Sequence, residues 1–182
     1  MKNKNIILGA IAIIVVVAII FIFSGDSEET SIEVTSEPAG NWINFELRDV
    51  ATGETFKISD FSDKPVFLES FAVWCPTCTR QQKETKKLHE EIGDSVVSIS
   101  IDTDPNEDKE KILEHIERNG FNWYYAVSPV EFTRSLIDQF GINIVNAPSA
   151  PMILICNGND ARQLDSGVKS VEKLKEEVAR GC

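Results

Sequence analysis

Residues 71–78 read Phe71-Ala72-Val73-Trp74-Cys75-Pro76-Thr77-Cys78 and decide the fold. They follow a short apolar run, 65–71, which is long enough for a strand and too short for a helix. From Pro76 to Ile92 the pattern becomes helical and charged. One face of this predicted helix carries Cys78, Gln81, Thr85, Leu88 and Ile92. The two cysteines are therefore predicted to lie where a buried strand turns into a helix.

Cys75 is predicted to cap this helix, because Pro76 suits the first helical position, where an N–H would be unpaired anyway. Its sulfur would then face the free amides of the first turn, including that of Cys78, and the positive end of the helix dipole. A thiolate is stabilised at such a position, so Cys75 is predicted to be an acidic, nucleophilic thiol. Cys78, one turn further on, is predicted to be better buried and able to resolve a mixed disulfide formed by Cys75.

A CxxC pair can also form half of a zinc site or a purely structural disulfide. Structural zinc takes four ligands, and Cys156 and Cys182 do not form a second CxxC. His89 and His115 are too far apart to supply the spacing of a zinc finger. Thiol–disulfide chemistry is therefore the favoured interpretation, and we expect no metal and no bound cofactor.

Residues 66–78 resemble the active-site strand and turn of thioredoxin-fold oxidoreductases, and in particular of the membrane-tethered TlpA/ResA-like group. The stretches 45–49, 53–61 and 64–65 resemble the N-terminal hairpin that this group shares with the peroxiredoxins. The resemblance covers about residues 41–180. It implies an α/β, thioredoxin-like fold with a central mixed β-sheet flanked by helices and an N-terminal β-hairpin extension.

The rest of the pattern agrees with alternating strands and helices on both faces of a sheet. In order, it predicts a strand over 95–101, a helix over 107–119, a strand over 121–127, a helix over 129–140, a loop over 141–150, a strand over 151–156, a turn over 157–160, a return strand over 161–166 and a last helix bearing Val171, Leu174 and Val178.

The resemblance also implies a cis proline that faces the CxxC motif. Pro148 and Pro151 are the candidates, and Pro151 is preferred because the apolar strand begins directly after it. Proline has no N–H for a partner strand, so Ala150 is expected to offer its backbone to an incoming extended peptide. Two ordinary loop prolines are the alternative.

Three further features of the site follow from the resemblance. Glu69 interrupts the apolar strand where thioredoxins bury an acid, and it is expected to deprotonate Cys78 when the mixed disulfide resolves. A solvated Glu69 at a sheet edge is the alternative. Trp74 is expected to lie over the site and limit the access of water, with plain packing as the alternative. Pro76 and Thr77, between the cysteines, are expected to tune the reduction potential.

The charge and hydropathy pattern of the N-terminal residues predicts that the rest of the chain is exported. Residues 1–5 are basic and cytoplasmic in this interpretation, 6–23 form an uncharged apolar transmembrane anchor, 24–40 form an acidic linker, and 41–182 form the thioredoxin-like domain. Positive charge before the apolar run and negative charge after it keep the N-terminus in the cytoplasm and place the domain outside. A cleaved signal peptide is the alternative. The expected localisation is the cell membrane, with a single pass.

The formal net charge of −11 argues against nucleic acid as a partner, because phosphate binding needs clustered Lys and Arg. The expected partners are protein disulfides or dithiols and a membrane electron donor or acceptor. Relatives outside the membrane usually act as reductants, and this direction is preferred here. Which substrate or donor is used is left open.

Two alternatives from other classes are a thiol peroxidase and a non-enzymatic tethered binding module. The peroxiredoxin signature would need Pro and Thr where Leu68 and Ala72 stand before Cys75. A copper-delivery protein would need a wider cysteine spacing than CxxC. Cys156 is expected to be an inert, buried thiol and Cys182 to be exposed, although the two could pair with each other or with partners.

Overall fold

The computed structural model describes residues 42–158 and 160–182. The strands of these residues form two β-sheets. The described strands are β1 (Leu47–Arg48), β2 (Thr55–Phe56), β3 (Val66–Phe71), β4 (Val97–Asp102), β5 (Tyr124–Val127), β6 (Met152–Cys156) and β7 (Asp160–Gln163). The described α-helices are α1 (Pro76–Ile92), α2 (Lys109–Asn119), α3 (Val130–Phe140) and α4 (Val171–Gly181).

The larger sheet has the strand order β5-β4-β3-β6-β7. Strands β3, β4 and β5 run parallel, whereas β6 is antiparallel to both β3 and β7. Strands β1 and β2 form a separate antiparallel hairpin. This is the mixed, thioredoxin-like sheet with an N-terminal hairpin that the sequence predicted.

Strand β3 lies in the middle of the sheet and is buried along its whole length. On one face, Leu68 belongs to a core that includes Phe132 of α3. On the other face, Phe67 packs in a core with Leu88 of α1 and Leu174 of α4. Burial on both faces explains why the run is largely apolar, as is typical of a central strand with a parallel neighbour, and Glu69 and Ser70 are its buried polar residues.

Most element boundaries agree with the sequence prediction, and the differences have local causes. Helix α1 begins and ends at the predicted residues. Strand β4 begins two residues late because 93–95 form a 3-10 turn. Helix α2 also begins two residues late because the Asp108 side chain caps it by accepting the N–H of Lys111. The predicted loop over 141–150 contains two 3-10 turns, Ile142–Val145 and Ala147–Ser149.

Cys156 and Cys182 form a disulfide, with their Cα atoms 5.2 Å apart. The expectation that Cys156 is an inert thiol is therefore wrong, although its predicted burial is confirmed. The bond ties the end of β6 to the last residue of the chain, directly after α4. The pairing could not be read from spacing alone, because it depends on how α4 folds back onto the sheet.

The predicted anchor over 6–23 and linker over 24–40 lie outside the described residues. Within 42–158 and 160–182, every helix is too short or too polar to cross a membrane.

Candidate active site

Cys75 is the N-cap of α1, as predicted. Its backbone is extended, and its Sγ accepts a hydrogen bond from the backbone N–H of Cys78 at 3.2 Å. Pro76 occupies the first helical position and is exposed. The sulfur of Cys75 therefore lies at the positive end of a helix of 17 residues.

Cys78 faces inward from the first turn of α1. Its S–H donates to the carbonyl oxygen of Ala147 at 3.2 Å. Burial is the main cause that raises the pKa of Cys78 above its ordinary value, and the adjacent Cys75 sulfur and the Glu69 carboxyl add to this effect. The sequence predicted that Cys78 is better buried than Cys75, and in the structure both are buried, Cys75 at 1% and Cys78 at 0% exposed. The two thiols differ in their partners rather than in their exposure.

Glu69 is buried in β3, between Ser100 of β4 and Met152 of β6. The alternative of a solvated edge position is therefore wrong. One carboxyl oxygen accepts a hydrogen bond from the hydroxyl group of Ser100 at 3.2 Å. Burial raises the pKa of Glu69 from 4.5 to about 8, against smaller opposing effects from Gln82, Ser100 and the charge of Lys169. A carboxyl with such a pKa exchanges its proton near neutral pH.

Trp74 is 57% exposed, so the alternative of plain core packing is wrong. Its indole N–H donates to the carboxylate of Asp104 at 2.6 Å. The backbone N–H of Val73 donates to Glu107 at 2.6 Å. These bonds tie the residues just before Cys75 to the turn after β4.

Asp102, at the end of β4, is a second carboxyl with a displaced pKa. Burial and, to a smaller extent, the neighbouring Glu107 raise the pKa of Asp102 to about 7.

An open cleft of about 430 Å³ lies beside the cysteines and is called the Trp74 cleft here. It is lined by Ala72, Trp74, residues 103–106 and residues 145–148. One wall, Ala147, carries the carbonyl that accepts the S–H of Cys78. The cleft therefore adjoins the dithiol on the side where Trp74 is exposed.

The expected roles of Ala150 and Pro151 are not what the structure shows. All peptide bonds of the described residues are trans, including those preceding Pro148 and Pro151. Ala150 is left-handed, with φ 46°, and its N–H is already bonded to Ala147. Its carbonyl oxygen accepts a hydrogen bond from the ammonium group of Lys169 at 2.5 Å. The N–H of Ala150 is therefore not free for a peptide, and its carbonyl oxygen already accepts a hydrogen bond from a buried lysine.

Lys169 and Gln81 are site residues that the sequence reasoning missed. Lys169 is only 5% exposed, and its backbone N–H and C=O both bond to the side-chain amide of Gln81, at 2.7 and 3.3 Å. Lysine is usually exposed, so nothing in the pattern marked it. The helical pattern predicts Gln81 on the buried face of α1, which is confirmed, but its partner lies on another element and does not follow from the helix alone.

Thr77 accepts a hydrogen bond from Arg80 at 3.1 Å. Within the described ranges, no group of three or more His, Cys, Asp and Glu residues is placed to hold a metal ion.

Fold and site together define a class, that of thioredoxin-like proteins with a CxxC dithiol at the start of the helix after the central strand.

The chain belongs to the Redoxin family, whose profile matches residues 38–157. It is 26% identical over 136 residues to the thiol-disulfide oxidoreductase ResA of Halalkalibacterium halodurans, covering 74% of this chain and 71% of that protein. With this likeness, the fold and the CxxC pair make the chain a TlpA/ResA-like thiol–disulfide oxidoreductase.

Solved structures share the fold. A secreted Mycobacterium tuberculosis disulfide oxidoreductase homologous to Escherichia coli DsbE superposes with a TM-score of 0.58 at 15% identity, over 77% of this chain and 98% of that chain. StoA from Bacillus subtilis gives a TM-score of 0.56 at 17% identity, over 74% and 95% of the two chains. At these identities the likeness supports the fold alone.

Proposed function

We propose that this chain is tethered to the membrane by residues 6–23 and exchanges disulfides with proteins outside the cytoplasm, acting as a reductant. The observation that carries the redox part is the hydrogen bond from the Cys78 N–H to the Cys75 sulfur. It fixes the sulfur at the end of α1, where negative charge is favoured, with a second thiol one turn away.

The reaction follows from the two thiols. The Cys75 thiolate attacks a substrate disulfide, forms a mixed disulfide, and releases one substrate thiolate, which takes a proton from water. The Cys78 thiol then loses its proton, and its sulfur attacks the Cys75 sulfur. The Cys75–Cys78 disulfide forms, the second substrate thiolate leaves and is protonated, and two electrons have passed to the substrate.

Glu69 is the proposed acceptor of the Cys78 proton. The raised pKa of Cys78 makes its thiolate scarce, so the resolving step needs a nearby base. Glu69 influences the ionisation of Cys78, and its own pKa of about 8 allows proton transfer at neutral pH. The Trp74 cleft is the proposed binding site for the substrate segment that lies beside the attacked disulfide.

The position outside the cytoplasm is supported by the bond between Cys156 and Cys182, because disulfides persist in oxidising compartments. The apolar run over 6–23 and its flanking charges support the tether. The reductant direction is supported by the raised pKa of Cys78, which disfavours its thiolate. A protein whose two thiolates were stabilised would favour its own reduced form and would therefore act as an oxidant.

Trapping tests the function directly. The full-length Cys78→Ser variant is expressed in a bacterial host with an exported proteome, and membranes are prepared after acid quenching and alkylation. Mixed disulfides with exported proteins are expected at Cys75 and are absent from the matched Cys75→Ser variant. Equal capture by both variants, or capture only of cytoplasmic proteins, would contradict the proposal.

The direction is tested separately by the reduction potential of the Cys75–Cys78 pair. We expect a value at or below about −230 mV, whereas a value near −120 mV, typical of a strong dithiol oxidant, would contradict the reductant role. Hydrogen peroxide consumption with a thiol donor is expected to be absent, which separates the protein from thiol peroxidases.

A further inference from the structure

We propose that Lys169 is a positioning residue for the resolving step: its buried ammonium compensates the negative charge that moves between Glu69 and Cys78. This inference rests on the proposed function and names a residue that neither the sequence motif nor the comparisons assign to the site. Lys169 lies in the loop before α4, about ninety positions from the cysteines along the chain.

The position of Lys169 is fixed from two sides. The Gln81 side chain holds its backbone through both the N–H and the C=O. Gln81 lies on α1, three residues after Cys78, so the loop is attached to the helix that carries the dithiol. The ammonium donates to the carbonyl of Ala150, just before β6, at 2.5 Å. The lysine therefore bridges α1 and the segment that leads into β6.

The charge of Lys169 acts on the groups that carry the proposed chemistry. It attracts the Glu69 carboxylate and lowers the pKa of that group against the stronger effect of burial. Burial in turn lowers the pKa of Lys169 from 10.5 to about 8, while Glu69, Asp165 and Cys78 oppose this. The titratable groups that interact with this region are Glu69 on β3, Cys75 and Cys78 at the start of α1, Tyr125 on β5 and Asp165 in the loop.

A single negative charge is handed over during resolution. In the reactive form Glu69 is ionised, so before the step the charge is on its carboxylate, and after proton transfer it is on the Cys78 sulfur. An isolated buried charge is costly wherever it resides, and an ammonium whose charge interacts with both groups offsets that cost at each stage. Lys169 keeps its own proton throughout, so it is not a catalytic residue.

The test separates the two thiol steps by using Ellman's reagent on the reduced, full-length chain. Cys75 attacks first and releases one thionitrobenzoate, and the attack of Cys78 on the mixed disulfide releases the second. The rate of the second release is measured against pH for the wild type and for Lys169→Met. Lys175→Met is the matched control, because Lys175 is an exposed lysine of α4 whose partner is Glu91.

Loss of the ammonium leaves the Glu69 carboxylate and the Cys78 thiolate less stabilised, so both groups ionise at higher pH. In Lys169→Met the midpoint of the second phase should move upward by about one pH unit, with about a tenfold slower second release below it. The first phase should not change, and the control should match the wild type. An unchanged midpoint and second rate in a folded Lys169→Met would overturn the inference.

Lys169→Arg keeps the test decisive should the methionine variant fail to fold. Arginine remains charged at every pH used, so its midpoint should lie at or below that of the wild type. An upward movement in this variant would overturn the inference. Because Ellman's reagent requires only the dithiol, a failure of the chain to act on exported proteins would refute the proposed function without changing this result.

Discussion

Replacement of Glu69 by glutamine should make the protein more stable at alkaline pH and have little effect at acid pH. Below pH 4.5 the carboxyl is protonated in both the folded and the unfolded chain. Between 4.5 and about 8 the folded chain retains the proton that the unfolded chain has released, so a rise in pH favours unfolding. The carboxyl is 2% exposed, so solvent does not screen this effect.

The size of the effect follows from the displaced pKa. A tenfold change in a protonation equilibrium is about 1.4 kcal/mol. The displacement from 4.5 to about 8 therefore removes on the order of 4 kcal/mol from the free energy of unfolding by pH 8. Glu69→Gln cannot ionise, keeps an oxygen to accept the Ser100 hydroxyl, and should regain this amount.

The assay is denaturant unfolding of the wild type and Glu69→Gln at both ends of the window, pH 4.5 and pH 8. The difference between the two proteins removes the contributions of other titrating groups. Glu131→Gln is the control, because Glu131 is exposed on α3 and loses the same charge. A gain for Glu69→Gln that is equal at both pH values, or absent at pH 8, would refute the reasoning.

Three more predictions concern the surroundings of the dithiol. Trp74→Phe loses the hydrogen bond to Asp104 and should cost about 1 kcal/mol of stability, with a higher KM for a protein disulfide and an unchanged rate with Ellman's reagent. The double change Cys156→Ser and Cys182→Ser opens a disulfide that spans 26 residues, and should lower the free energy of unfolding by about 3 kcal/mol while leaving both thionitrobenzoate releases intact. At pH values above 7, Asp102→Asn should raise the midpoint temperature of thermal unfolding, and below pH 4 it should have little effect. Burial keeps this carboxyl protonated up to about pH 7 in the folded chain, whereas the unfolded group releases its proton near 3.8. Equal midpoints for Asp102→Asn and the wild type at alkaline pH would contradict the last of these.

The local features of the site could be predicted from the sequence because they depend on neighbouring residues. The apolar run of β3, the proline at the first position of α1 and the two cysteines lie within one short segment, and together they specify the strand, the cap and the sulfur geometry. The burial of Glu69 was predicted by the resemblance to thioredoxins, since the local pattern alone left a solvated edge position open.

The features that the sequence could not supply depend on distant segments. The partner of Cys156 is decided by the return of α4 to the sheet, which brings Cys182 within bonding distance. The N–H of Ala150 is hydrogen-bonded within a turn, and its carbonyl oxygen accepts a hydrogen bond from Lys169. Lys169 itself is charged, and its burial depends on a carbonyl and an amide from two other elements.

The most direct test of the central claim is the order in which the two thiols react. The rate of the first thionitrobenzoate release is measured at neutral pH for Cys78→Ser, which retains Cys75, and for Cys75→Ser, which retains Cys78. Cys75 is predicted to react at the wild-type rate of the first phase and Cys78 at least about tenfold more slowly, because only Cys75 lies at the helix end. Equal rates, or a faster Cys78, would contradict the account.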